Sequence, residues 1–340
     1  MKGIEESNLI LKTDNISDNI NDKIKNIINR ASLDRMSTKK QHQKATGGII
    51  NMAMTEQERM EWRKKLMSIT DEEFLAMSDT EFRARFRERC HHRLEIQTYV
   101  AAYRHKKLID TQTDYIKRLM GLWEKRGLPL DAAEYTYAKK LIAIAEKLIA
   151  GESVDEDLAE YAWDPVTPEE KEIFMKLLYE RRSVREFKDI PVPDELIDEI
   201  LDAGLWAAHA CNLQSIRYLV IREDKDPDLF LGSDIPGGPV HLVICQDMRC
   251  YLANQAMPER NILLDAGACG QNLVLAAHAV GLEGVWITFN DKIKDRLRNY
   301  FNLPDYISIV TYVDVGYGDQ TPIPPYRSKV ADHVLARSES

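Results

Sequence analysis

A group of arginines around a serine is the stretch of this sequence whose residue types most clearly suggest chemistry. Residues Arg181-Arg182-Ser183-Val184-Arg185 place three guanidinium groups and one hydroxyl within five positions, directly after a predicted helix. Like charges this close repel one another unless an anion or an acidic surface meets them. The planar guanidinium fork matches phosphate oxygens, and a serine hydroxyl adds a short donor. The stretch is compatible with a phosphate site, although a charged helix end is the commoner explanation when it stands alone.

A loop of small and polar residues at 207–215 offers a second kind of chemistry. Asn212 and Gln214 each combine a hydrogen-bond donor with an acceptor, which suits the edge of a flavin pyrimidine ring. A polar connection between a helix and a strand explains the loop equally well. His209 is a weak candidate for a proton donor, because imidazole titrates near neutral pH. Cys211 is a candidate redox thiol, but a structural role is favoured for both residues.

Two later stretches have a recognisable order of small, apolar and basic residues. The residues from about Glu259 to Val280 predict a long helix, and its internal Gly267 and Gly270 are tolerable if another backbone packs closely against them. The sequence Val315-Gly316-Tyr317-Gly318 is followed by a proline-rich segment that ends near Arg327. This arginine is placed to return to a phosphate, or it belongs to an ordinary basic tail.

Together, the four stretches resemble the FMN-binding nitroreductase family. That family has an Arg-x-Ser-x-Arg/Lys stretch and a small-residue loop with Asn. It then has an Asp-x-Gly-x-x-x-Gln-Asn-Leu-x-Leu-Ala-Ala helix that ends in Gly-Leu, and a Val-Gly-Tyr strand with a basic residue beyond it. This chain has all four in the same order. The resemblance implies an α+β domain at residues 166–340, with a nitroreductase-like mixed sheet flanked by helices.

The resemblance also implies a homodimer that binds FMN at the interface between its subunits. At the phosphate, the ribityl chain or the pyrimidine edge, the matching residues are Arg181, Arg182, Ser183, Arg185 and Arg327. At the isoalloxazine ring they are Asn212, Gln214, Trp286, Ile287 and Thr288. The backbone of the last three would lie near flavin N5, with the Thr288 N–H as the donor.

The implied reaction is a ping-pong transfer of electrons from NADH or NADPH to a small electron-poor acceptor, such as a nitroaromatic or a quinone. The flavin carries the chemistry, so the resemblance requires no side-chain acid or base. Where the family has Pro-Ser-Ser and Pro-Trp, this chain has Ala208-His209-Ala210 and Ser215-Ile216, which indicates an altered substrate face. A reductive dehalogenase, a flavin-modifying enzyme and an FMN-binding regulatory or interaction protein are alternatives on the same scaffold.

The first half of the chain has a different character. Residues 1–53 contain no aromatic side chain and predict a disordered extension, with a natural start near Met54. Residues 54–165 predict a helical region, in which Thr55 with Glu58 and Thr70 with Glu73 have capping-box spacing. This region is interpreted as a helical cover or a dimer-stabilising extension. A lid or a partner-docking module is the alternative.

The bulk composition restricts the possible partners and compartment. The formal net charge of -9 argues against nucleic-acid binding. The five cysteines include no Cys-x-x-Cys pair, so neither a disulfide framework nor a metal site is expected. No stretch is long and apolar enough for a membrane span, and no signal peptide is evident at the N-terminus. The expected location is therefore the cytoplasm.

Overall fold

The computed structural model describes residues 55–233, 237–257 and 259–338. The predicted extension at residues 1–53 and its proposed start near Met54 lie outside these ranges. The helices are α1 Glu56–Met67, α2 Asp71–Ala76, α3 Asp79–Arg89, α4 Ile96–Arg104, α5 Asp110–Lys125, α6 Ala133–Ala150, α7 Asp155–Ala159, α8 Pro168–Glu180, α9 Asp194–Leu205, α10 Glu259–Ala279 and α11 Asp291–Tyr300. The strands are β1 Ile216–Arg222, β2 Val240–Asp247, β3 Glu283–Thr288 and β4 Ile307–Gly316.

Short-range capping signals fix the starts of the first helices, as the sequence predicts. The Thr55 hydroxyl accepts from the Glu58 N–H, while the Glu58 carboxylate accepts from the Thr55 N–H at 2.7 Å. Thr70 and Glu73 form the same reciprocal pair before α2. These bonds satisfy backbone donors that the first helical turn leaves unpaired. Both predicted capping boxes are confirmed.

The N-terminal helices enclose an aromatic core of their own. Trp123 on α5 is fully buried, and its ring centroid lies 5.1 Å from that of Phe86 on α3. Phe82 and Tyr135 also contact this indole, at 6.1 and 5.8 Å. A π-helical turn, Cys90–Glu95, joins α3 to α4. The all-helical prediction for this part of the chain is confirmed over its described residues, while the domain boundary near residue 165 stays a prediction.

The sheet has the order β1-β2-β4-β3, so β2 and β4 are central and β3 lies at an edge. Side chains of β2 alternate between two cores, since neighbouring residues of a strand point to opposite faces. Leu242 and Ile244 join the core formed with α9 and α10. Val243 and Cys245 join the opposite core, which α11 covers. The predicted α+β class is confirmed.

All three strand pairs of the sheet are antiparallel over the described residues. The parallel component is confined to a single bridge between Ser183 and Gly284 on the outer edge of β3. The segment around Ser183 forms one bridge there and then departs, so it does not become a fifth strand. Among the described residues, no helix is long and apolar enough to cross a membrane.

The glycines of α10 accommodate an aromatic side chain rather than the neighbouring backbone that the sequence suggested. A Cβ on Gly270 would lie 2.9 Å from the indole of Trp286, closer than van der Waals contact allows. The indole N–H of Trp286 donates to the Thr311 hydroxyl at 2.7 Å, which fixes the ring against the helix. Because Gly270 has no side chain, the Trp286 ring of β3 can pack against α10.

A buried histidine joins the two central strands. His241 on β2 lies between two carboxylates, with Nδ1 2.5 Å from Asp314 Oδ1 and Nε2 2.9 Å from Glu223 Oε2. The Phe230 ring stacks on its imidazole at 3.7 Å between centroids. Burial lowers the pKa of His241, but hydrogen bonds and charge from Asp314 and Glu223 outweigh it, so the net shift is upward.

Replacing His241 by glutamine is expected to cost about 1–3 kcal/mol of unfolding free energy at pH 6, because two carboxylates lose a cationic donor. The raised folded-state pKa means that this stabilisation is complete below the unfolded value of 6.5 and is lost as pH rises through the folded value. Urea unfolding at pH 6 and pH 9 should therefore show a gap between wild type and His241→Gln that narrows at pH 9. The exposed His333→Gln is the control, and a gap that widens with pH would contradict the assignment.

Candidate functional site

Two of the stretches singled out in the sequence meet beside the start of β3. The Val184 N–H donates to the Gly284 carbonyl at 3.2 Å, so residues 183–184 lie against the edge of this strand. The following residues pair with the chain beyond β4, where the Lys188 N–H donates to Tyr317 O at 2.8 Å. The Arg185 N–H donates to Gln320 Oε1 at 2.9 Å. The arginine–serine stretch and the segment after Val-Gly-Tyr therefore form one unit.

This arrangement concentrates positive charge at the end of α8. Arg181 is half-buried, and burial is the main cause that lowers its pKa. The charges of Arg182 and Arg327 lower it further, while Glu283 opposes them with a smaller effect. A guanidinium keeps its proton at physiological pH. Two like charges, Arg182 and the distant Arg327, therefore act on the Arg181 guanidinium, and Glu283 opposes them.

Two other predicted phosphate contacts flank buried Val184. Ser183 is half-buried and bridges to Gly284, so its position beside β3 is fixed. Arg185 is exposed and is anchored through its backbone N–H. The structure thus brings Arg182 and Arg327 within electrostatic reach of Arg181, with Ser183 next in the chain, and these three arginines are called the arginine group. It leaves the Arg185 side chain at the surface.

The arginine group lies beside the start of β3, and the later residues of this strand form the rest of its outer edge. Because backbone groups of successive strand residues point alternately to opposite sides, the outward carbonyl of Gly284 places the N–H groups of Trp286 and Thr288 on the same outer side. Ile287 faces the other way, and its carbonyl accepts from the Thr311 hydroxyl of β4 at 2.5 Å. The Thr288 N–H therefore faces away from β4, the direction that a donor to an edge-bound ligand requires.

The loop that carries Asn212 and Gln214 adopts an unusual backbone conformation. Cys211, Asn212 and Gln214 have φ values of 50°, 48° and 52°, in the left-handed region that side chains disfavour. Both predicted ring contacts are exposed, and the Gln214 amide donates to Asn212 Oδ1 at 3.3 Å. Non-glycine residues in this conformation persist where surrounding contacts over-determine the backbone, and they cluster at functional sites.

A buried hydrogen-bond network supplies such contacts from below the loop. Asp265 on α10 accepts from the Ala210 N–H at 2.9 Å and from the Tyr251 hydroxyl at 2.8 Å. It also lies 3.2 Å from Nδ1 of His209. Nε2 of His209 accepts from the Ser215 N–H at 3.2 Å and lies 2.9 Å from its hydroxyl. The loop is therefore tied at both ends to one carboxylate and one imidazole.

This hydrogen-bond network holds the loop in place and does not supply a catalytic nucleophile. Burial lowers the pKa of His209, against the opposing charge of Asp265, so the imidazole is neutral at pH 7. The hydrogen bonds link Ser215 to His209 and His209 to Asp265, the order of a serine–histidine–aspartate triad. Ser215 has no exposed surface, however, so its hydroxyl cannot reach a substrate. Sequence reasoning missed the roles of Asp265 and Tyr251. The available signal was a carboxylate on the otherwise apolar face of α10.

The predicted contacts are spread along α10. The loop contacts this helix at Asp265, whereas His278 near its other end lies 3.2 Å from Glu283 beside the arginine group. At 1.5 Å per residue these positions are about 20 Å apart along the helix axis. Trp286 packs at Gly270, between them. The loop and the arginines therefore lie toward opposite ends of one helix, with β3 alongside it.

The residues between Arg181 and β4 match a known protein family. Segments 178–230 and 228–317 match the sequence model of the Nitroreductase family. A Methanothermobacter thermautotrophicus protein, provisionally named an NADH dehydrogenase/NAD(P)H nitroreductase, is 29% identical over 150 residues, which are 42% of this chain and 75% of that protein. The NADPH-flavin oxidoreductase of Vibrio harveyi is 27% identical over 153 residues, 42% of this chain and 64% of its own length.

A solved structure also aligns with this part of the chain. It is a protein from Desulfovibrio desulfuricans, provisionally called a nitroreductase and crystallised in complex with FMN. It is 28% identical and covers 52% of this chain and 100% of its own, with a TM-score of 0.42. The family model is matched by the segment that contains the arginine–serine stretch, the left-handed loop, α10 and all four strands. Residues 178–317 of this chain thus match the nitroreductase family, and the helical region lies outside the match.

Proposed function

We propose that this chain is an FMN-dependent oxidoreductase that passes electrons from NADH or NADPH to a small electron-poor acceptor. The observation that carries the proposal is the group of positive charges that half-buried Arg181 forms with Arg182 and Arg327 beside the edge of β3. A phosphate dianion would neutralise it, and guanidinium forks match phosphate oxygens in geometry as well as charge. The relatives' names, nitroreductase and NADPH-flavin oxidoreductase, agree with this chemistry.

The protein's own groups would bind, orient and shield the cofactor. The arginine group would hold the phosphate, and Ser183 would add a hydroxyl donor next to it. The outward N–H of Thr288 would donate to the ring at N5, while Asn212 and Gln214 would present amide groups to its pyrimidine edge. When bound, FMN supplies the site at which a hydride is accepted from a nicotinamide and electrons are passed to the acceptor.

The proposal includes a homodimer, because one chain leaves much apolar surface of the C-terminal region uncovered. No residue of α8 is buried, although this helix carries Ile173 and Phe174. Leu263 and Leu264 of α10 are more than half exposed, and Leu335 near the end of the chain is fully exposed. Large apolar surfaces on a soluble protein mark sites of association. A second copy would cover them and would complete a cofactor site shared between subunits.

Absorbance spectroscopy tests the proposal directly. Purified protein loaded with FMN should show a flavin spectrum after gel filtration and should elute as a dimer. Anaerobic addition of NADH or NADPH should bleach the long-wavelength flavin band within seconds, the time expected for ordinary turnover. A nitroaromatic, a quinone or a halogenated phenol added next should restore the band if it is an acceptor. Protein that retains no FMN, or bound flavin that neither nicotinamide reduces, would contradict the proposed activity.

A further inference from the structure

The helical region reaches the left-handed loop through one buried arginine. Arg87 on α3 is only 8% exposed, and its Nη2 donates to the Leu213 carbonyl at 2.8 Å. Its Nη1 lies 3.0 Å from Glu134 Oε1 on α6, and this carboxylate also accepts from Arg83 Nε at 2.6 Å. The Arg87 guanidinium is therefore bound to Glu134 of the helical region on one side and to the loop backbone on the other.

Packing reinforces this contact. Ala84 lies one helical turn before Arg87, on the same side of α3. It is fully buried in a cluster with Leu213, Cys250 and Tyr251. Tyr251 also belongs to the network that holds Ser215 and Asp265. The helix α3 therefore contacts both the loop and the hydrogen-bond network beneath it.

Arg87 binds the loop at its most strained part. Leu213 lies between Asn212 and Gln214, both of which have left-handed φ values. Its own side chain is fully buried, so the carbonyl that Arg87 binds is part of the anchored centre of the loop. A non-glycine residue in the left-handed region is strained and persists only when its neighbours enforce that conformation. Arg87 supplies a charge-assisted bond at this point.

We propose that Arg87, which lies outside the segment matched by the family, is a positioning residue for flavin binding. It holds the Leu213 carbonyl so that Asn212 and Gln214 on either side face the ring in a fixed arrangement. This inference rests on the proposed function, since it takes FMN as the ligand of the loop. It also gives the helical region a role beyond covering the sheet domain, because the helix α3 fixes one wall of the cofactor site.

The test compares Arg87→Met with Arg83→Met. Both substitutions remove one guanidinium that binds Glu134, but only Arg87 binds the loop. Loss of one charge-assisted bond is expected to raise the Kd for FMN about tenfold in Arg87→Met and less than about twofold in Arg83→Met. Riboflavin should show the same tenfold loss, because the loop faces the ring and not the phosphate. Arg87→Lys, which keeps a donor but loses the guanidinium fork, should recover only part of the affinity.

A spectroscopic readout separates positioning from general destabilisation. The visible circular dichroism of bound flavin should change shape in Arg87→Met and remain as in wild type in Arg83→Met. If Arg87→Met does not fold, hydrogen exchange in FMN-bound Arg87→Lys should be faster at residues 209–215 and unchanged in β2 and β4. Folded Arg87→Met with wild-type flavin affinity and spectrum would overturn the inference, as would exchange unchanged at the loop. Wild-type protein that binds neither flavin would instead contradict the proposed function.

Discussion

Replacing Arg181 by glutamine is expected to raise the Kd for FMN about 30- to 100-fold while leaving the Kd for riboflavin within about threefold. Arg181 is half-buried, so its charge acts on a phosphate with less screening by water than a surface charge would have. Riboflavin lacks the phosphate and should not gain from this charge. Fluorescence titration of apo-protein with each flavin gives both constants.

Two further variants define what the Arg181 result means. Arg327→Gln should show the same selective loss, because its charge acts on the same group from the distant end of the chain. Lys225→Gln removes one exposed charge of the sheet domain and should change neither constant. Equal losses for FMN and riboflavin in Arg181→Gln would assign this residue to folding. No loss for either flavin would remove it from the proposed site.

Replacing Asp265 by alanine is expected to lower the free energy of unfolding by about 3–5 kcal/mol, since three partners of this buried carboxylate lose their acceptor at a cost of about 1–3 kcal/mol each before relaxation. Those partners are the Ala210 N–H, the Tyr251 hydroxyl and the His209 imidazole. The loop should then relax from its left-handed conformation, so flavin affinity should fall as well. Urea unfolding and flavin titration of the same preparations measure the two effects.

The isosteric Asp265→Asn variant is the matched control. It keeps an oxygen acceptor of the same size, so its loss of stability should be smaller, about 1–2 kcal/mol. Leu130→Ala, at an exposed position of the helical region, should change stability much less, because it uncovers no buried polar group. A neutral effect of Asp265→Ala would show that the loop does not depend on this network, and the positions of Asn212 and Gln214 would need another explanation.

Much of the fold follows from local patterns in the sequence. The buried run at 240–246 predicts β2, and the structure extends it by one residue to Asp247. The predicted helix from about Glu259 to Val280 is observed as Glu259–Ala279, with Gly281 at a φ of 83° after its end. Capping boxes and left-handed glycines act within a few residues of the chain. The helix ends that they fix can therefore be predicted without knowledge of the tertiary structure.

The candidate site was less readable, because its decisive contacts join residues far apart in the chain. The family resemblance directs attention to Arg181 and Arg327, but their proximity becomes visible only in the folded chain. The contact between Arg87 and Leu213 has no local signature, since an arginine on an amphipathic helix is ordinarily a surface residue. Gly270 was assigned to a close backbone contact because sequence alone does not show that the Trp286 indole occupies that space.

The exposed helix α8 has a thermodynamic consequence. Its residues find no buried environment within one chain, so a single copy gains little hydrophobic free energy from ordering this segment. If a second copy covers this helix, as the proposed homodimer requires, folding of the C-terminal region and association become linked equilibria. The folded fraction of this region would then depend on protein concentration, and dilution alone would favour its unfolded state.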